Sequence, residues 1–98
     1  MARYLLLWEI DRDKVPVDRK ERAALWGPMI ETVKQEMKEG TCLDWGAYAG
    51  GMKGYSIEEG DEMTISNTAQ SYIPYVTFEV HPILSVDQMA QLVDNLNK

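Results

Sequence analysis

The first strand of the chain is apolar in an unusual way: residues 3–10 place large apolar side chains at both odd and even positions. Successive side chains of a β-strand point to opposite faces, so this segment predicts a strand that is buried on both faces. One layer of helices covers only one face of a sheet in so short a protein. We therefore expect a second copy of the sheet to cover the other face.

A long helix is predicted next, because apolar residues recur at helical spacing up to Gly40. Asp18 and Glu21 form a variant of the capping box at its start, and Gly40 is a natural helix stop. Pro28 lies inside this segment, lacks an amide hydrogen and crowds the preceding turn. The pattern therefore predicts a kink or a break into two shorter helices.

Two further helices are predicted in the second half of the chain. The first follows the turn and N-cap at Gly60 and Asp61 and extends up to Pro74. The second begins after Ser85, which forms a capping box with Gln88 ahead of an amphipathic segment. Both helices have one apolar stripe to bury.

Alternating apolar and polar residues predict three more strands, in residues 43–49, 55–58 and 76–81. The glycines at positions 50, 51 and 54 indicate a hairpin loop between the first two of these strands. Pro82 is expected to end or roughen the pairing of the last strand, because proline cannot donate to a ladder.

The predicted order is strand, helix, strand, strand, helix, strand, followed by one more helix. This is the split βαβ, or ferredoxin-like, arrangement. We expect an α+β fold with a four-stranded antiparallel sheet, its first and third strands central, and helices over one face. Residues 1–98 form a single domain.

With this order, an open sheet face, and the segments 54–58 and 75–82, the chain resembles the dimeric α+β barrel proteins. That family includes muconolactone isomerases and cofactor-free antibiotic-biosynthesis monooxygenases. The resemblance covers essentially the whole chain and implies two sheets packed face to face. It implies a ligand between sheet and helices or inside the barrel, but no motif allows a catalytic residue to be carried over.

Charge and cysteine content narrow the function classes. The net charge is −6, and residues 41–98 hold two bases against eight acids, which opposes nucleic-acid binding. The single cysteine, Cys42, excludes an internal disulfide and favours a reducing cytoplasm, with a buried, inert thiol as the expectation. No segment is typical of a signal peptide or a membrane span, so no membrane partner is expected.

The candidate chemistry lies on the last strand. If the apolar residues of that strand face the helices, Thr77, Glu79 and His81 face the other side. Glu79 and His81 could act as a catalytic acid/base pair or supply two metal ligands, because imidazole titrates near neutral pH. Alternatively, both make hydrogen bonds at an interface.

A second group of candidates is aromatic. Trp8, Tyr48 and Tyr72 have tips that can donate hydrogen bonds, and with Thr77 they are the predicted ligand-binding residues. The alternative is that these aromatics are core. The acidic residues Glu58, Glu59, Asp61 and Glu62 lack the spacing of a calcium loop, so we interpret them as a solvated turn at a helix start and predict no metal site.

Together these features predict a cytoplasmic homodimer, with higher oligomers open, that binds a small, partly apolar organic molecule without a cofactor. Isomerase or cofactor-free monooxygenase activity is the enzymatic hypothesis, with Glu79 and His81 moving protons. The alternative is a non-catalytic oligomerisation or sensor module without a substrate.

Overall fold

The computed structural model describes residues 2–98 and has the predicted order of elements. A four-stranded sheet of order β2-β3-β1-β4, with every neighbouring pair antiparallel, has β3 and β1 at its centre. This confirms the α+β class, the four-stranded sheet and the C-terminal helix. The elements are β1 (Arg3–Ile10), a 3₁₀ turn (Arg12–Lys14), α1 (Arg19–Glu39), β2 (Cys42–Ala47), β3 (Lys53–Glu59), α2 (Glu62–Ser71), β4 (Val76–Ile83) and α3 (Val86–Leu96).

The sheet buries one face within a single chain. Leu6 pairs with Ser56 on one side and with Val80 on the other, and it is fully buried. Even-numbered residues of β1 therefore face the helices, where Tyr4 and Leu6 pack against Ile65 of α2. Odd-numbered residues of β1 lie on the open face and are only partly buried or exposed.

Helix α1 is continuous through Pro28, so of the two predicted outcomes, a kink or a break into two helices, the break is wrong. A proline removes one hydrogen bond to the carbonyl four residues earlier, and the rest of this 21-residue helix remains paired around it. The predicted ends are confirmed. Asp18 accepts a hydrogen bond from the Glu21 amide at 3.1 Å, and Gly40 ends the helix with a φ of 86°.

The strand ends differ in detail from the predictions. Gly50 and Gly51 form the hairpin loop with positive φ, whereas Gly54 lies inside β3. β4 continues past Pro82 to Ile83, because it is an edge strand and needs hydrogen bonds on one side only. A register shift between Cys42 and Asp44 marks a bulge in β2.

The two later helices have the predicted caps. Asp61 accepts a hydrogen bond from the Thr64 amide at 2.7 Å, and Ser85 and Gln88 form a complete capping box. Helix α3 exposes much of its apolar side, including Val86, Val93 and Leu96. None of the helices within residues 2–98 has the length and apolarity needed to cross a membrane.

The atoms around Gly54 leave no space for a larger residue. Gly54 is paired with Trp8, and a Cβ there would overlap the indole of Trp8 and the carbonyl oxygen of Gly46. We expect Gly54→Ala to lower the free energy of unfolding by ~1–3 kcal/mol, because a packed sheet face cannot take the extra methyl group. Urea unfolding followed by tryptophan fluorescence measures this change.

The matched control is Gly27→Ala in α1, where the added methyl group would meet nothing within 4 Å. Alanine is the better helix former, so this control should raise the free energy of unfolding by ~0.5–1 kcal/mol. Unchanged stability in Gly54→Ala would show that Trp8 does not pack against this glycine.

Candidate functional site

A cavity of about 270 Å³ lies between α1 and the helix-facing side of the sheet. No residue of α1 is fully buried, because the helix faces this space instead of packing directly on the sheet. The cavity is largely apolar. Its helix side is formed by Trp26, Met29, Ile30 and Val33, and its sheet side by Trp8, Trp45, Val76 and Phe78.

Aromatic rings form the sheet side of the cavity. The rings of Trp8 and Trp45 stack with centroids 5.3 Å apart and an angle of 12° between their planes. The Trp8 indole N–H donates to the Tyr55 carbonyl oxygen at 3.3 Å, which helps to fix the orientation of the ring. Tyr72 and Phe78 are in contact at 5.6 Å between centroids. The cavity therefore has flat, ordered walls.

One buried carboxyl group opens on this apolar space. Glu58 of β3 is only 6% exposed, and its Oε2 accepts a hydrogen bond from the buried Ser56 hydroxyl at 3.1 Å. Glu58 points inward because it is paired with Tyr4 and Cys42, which lie on the helix-facing side. Burial raises the pKa of Glu58, and the hydrogen bond from Ser56 opposes part of that rise.

A second carboxyl group reaches the cavity from α1. Glu36 lies three residues after Val33, so both are on the same helix face, and both line the cavity. Burial, followed by the charges of Glu58 and Glu39, raises the pKa of Glu36 to about 7. The Glu36 carboxyl is therefore protonated in a large fraction of molecules at neutral pH.

Two weaker acids complete this end of the cavity. Burial, together with the nearby carboxyl groups, raises the pKa of Tyr72 to about 12 and that of the Cys42 thiol to about 11. Both groups are neutral at physiological pH, and the expectation of a buried, protonated thiol at Cys42 is met. Across residues 2–98, no lysine, arginine or histidine lines the cavity, so none of its polar side chains is cationic.

The predicted catalytic pair lies on the opposite side of the sheet. Thr77, Glu79 and His81 share the open face, as the alternation predicts, since they are paired with odd-numbered residues of β1. His81 Nε2 and Glu79 Oε2 are 3.0 Å apart, and both side chains are at least half exposed. The structure brings these two residues together, but away from the cavity.

The predicted ligand-binding residues divide between two places. Trp8 and Tyr72 line the cavity. Tyr48, Thr77 and Glu79 border an open groove of about 350 Å³ on the other face of the sheet. Tyr48 is 52% exposed there, and Thr77 donates a hydrogen bond to a β1 carbonyl oxygen at 3.4 Å.

Sequence reasoning missed both carboxyl groups of the cavity. The prediction of a solvated turn is wrong for Glu58 and Glu59, which lie in β3, with Glu58 buried. It holds for Asp61 and Glu62, the N-cap and the first residue of α2. The alternation of Ser56 and Glu58 was visible, but only the pairing with β1 shows that this polar set faces inward. Glu36 interrupts the apolar stripe of α1, and this interruption was the available signal.

Comparison with protein-family models and with curated proteins gives no match for this chain. Within the described residues, no three histidine, cysteine, aspartate or glutamate side chains are grouped so that they could hold a metal ion.

Proposed function

We propose that this protein binds a small, partly apolar organic molecule in the cavity between α1 and the sheet. The supporting observation is a preformed apolar space of about 270 Å³ with its polar groups, Glu36 and Glu58 among them, at one end. Ligand sites commonly combine apolar walls with a few polar groups. A dry cavity of roughly 150 Å³ takes up benzene, so a molecule with one ring and a short side chain suits this volume.

The rigidity of the aromatic wall favours binding. Trp8 is held by its hydrogen bond to the Tyr55 carbonyl oxygen and by stacking on Trp45. Rings that are already ordered lose little conformational freedom when a ligand arrives, so more of the contact energy contributes to affinity. Helix α1 can adjust over the ligand, because its cavity-facing residues are only partly buried.

The proposal includes a homodimer in which the open face of the sheet is covered by a second copy, as in the dimeric α+β barrels that the chain resembles. Leu5, Leu7 and Ile57 lie on this face and are only partly buried, and α3 exposes apolar side chains as well. Large contiguous apolar surfaces are uncommon on monomeric proteins. Pairing of the open faces would bury both sides of β1.

Sedimentation equilibrium of the full chain tests this assembly. We expect twice the 11.2 kDa chain mass, and Leu7→Glu should shift the equilibrium toward the monomer because a charge would enter the interface. Glu9→Gln, on the same face at an exposed position, is the control and should stay dimeric. A monomer at all concentrations would contradict the homodimer.

Catalysis by Glu79 and His81 stays a prediction. Their contact of 3.0 Å has a geometry compatible with proton transfer. However, the pair lies on the open face, whereas the cavity is on the other side of the sheet. We therefore propose ligand binding as the function, and an isomerase or monooxygenase reaction would need a ligand in the groove beside Thr77 and Glu79.

Calorimetric titration with 2-phenylethanol, a neutral one-ring molecule, tests the proposed binding. The wild-type protein should bind it, and Val33→Trp should weaken binding by about tenfold or more, because the larger ring fills the cavity. Thr32→Trp places the same ring on the adjacent exposed position of α1 and should leave affinity unchanged.

Two results would contradict the proposal. One is failure of the wild-type protein to bind this or any other one-ring probe, which would favour the non-catalytic assembly module. The other is equal affinity in wild type and Val33→Trp, which would place the bound molecule outside the cavity.

A further inference from the structure

The two carboxyl groups of the cavity have no charged partner. The ion pairs among residues 2–98 join Arg3 to Glu59, Lys34 to Glu31, Lys53 to Glu9 and His81 to Glu79. Neither Glu36 nor Glu58 takes part in any of them. Glu58 is buried and Glu36 is partly buried, and a carboxylate removed from water without a counter-charge is costly, so a cation that reaches both groups would stabilise their charged forms.

The burial and hydrogen bonding of Glu58 are a second, independent indication that a ligand binds here. The residue is more than nine-tenths buried, yet in the described part of the chain only Ser56 donates to its side chain, and only to Oε2. No fully buried side-chain oxygen within residues 2–98 lacks a hydrogen-bond partner. The remaining oxygen, Oε1, is therefore accessible from the cavity, where it can accept a hydrogen bond from a ligand.

The rest of the lining decides which cation fits. A metal ion needs several oxygen ligands or retained waters, and the aromatic and aliphatic walls supply none. An organic ammonium group needs only one or two carboxylates, while its carbon skeleton fills the apolar space.

We infer that the ligand of this cavity is a small organic amine in its ammonium form, with the nitrogen held by Glu36 and Glu58 and the apolar part against Trp8 and Trp45. This inference rests on the proposed function and adds the chemical class of the ligand. It also disfavours carboxylate ligands, since the cavity presents no cationic side chain to an anion.

Three probes of similar shape and different charge test the inference by calorimetry at pH 7: 2-phenylethylamine, 2-phenylethanol and 3-phenylpropanoate. The wild-type protein should bind the amine about tenfold or more tightly than the alcohol, and the propanoate most weakly. Glu58→Gln and Glu36→Gln should each reduce the ratio of amine affinity to alcohol affinity severalfold.

The matched control is Glu59→Gln, which removes the same charge from the next residue of β3, outside the cavity lining. The preference for the amine should be unchanged in this variant. If Glu58→Gln does not fold, Glu36→Gln still tests the inference, because Glu36 is only partly buried.

Equal affinity for amine and alcohol in the wild-type protein would overturn the inference and leave the proposed function standing. A preference that survives in both glutamine variants would also overturn it, because the attraction would then come from the negative surface as a whole. Failure of all three probes to bind would contradict the proposed function itself.

Discussion

The pairing register between β1 and β3 determines which side chains face the cavity. Leu6 lies opposite Ser56 and Tyr4 opposite Glu58, so the inward face of β3 carries a hydroxyl and a carboxyl group. A slip of one residue would exchange the two faces of a strand. It would turn Glu58 out and bring Ile57 in, which would make the cavity more apolar. The apolar packing of Leu6 at the sheet centre therefore also fixes the chemistry of the site.

The same register places Trp8 opposite Gly54, and this pair shapes the aromatic wall. The indole of Trp8 occupies the space that a side chain at position 54 would need. In this position the indole stacks on the ring of Trp45. Glycine is unfavourable inside a strand, so its position here reflects the close approach of the ring. The cavity thus depends on one small residue in the sheet and on a helix that packs loosely above it.

The fold was more predictable than the site. Caps at Asp18, Asp61 and Ser85 and the alternation in the strands were enough to give the order of the elements, because these signals are local. At Pro28 the sequence left a kink and a break open, and the helix is continuous because one missing hydrogen bond does not end a long helix. Glu58 was missed because its inward direction depends on a pairing partner about fifty residues away in sequence. The odd-numbered residues of β1 are apolar but lie on the open face, so the strand is not buried on both faces within one chain, and the predicted second sheet stays a prediction.

Glu36 and Glu58 share one largely apolar cavity, and none of the ion pairs among residues 2–98 includes either of them. The most direct measurement is the pH titration of the Glu36 carboxyl carbon by ¹³C NMR in the wild-type protein and in Glu58→Gln. A midpoint near the pKa of about 7 is expected in the wild type and a lower one in the variant, because the Glu58 charge is removed. The native state then holds a proton that the unfolded chain releases, so stability should fall as pH rises from about 4.5 to 7. An ordinary midpoint near 4.5 that does not respond to Glu58→Gln would contradict the account.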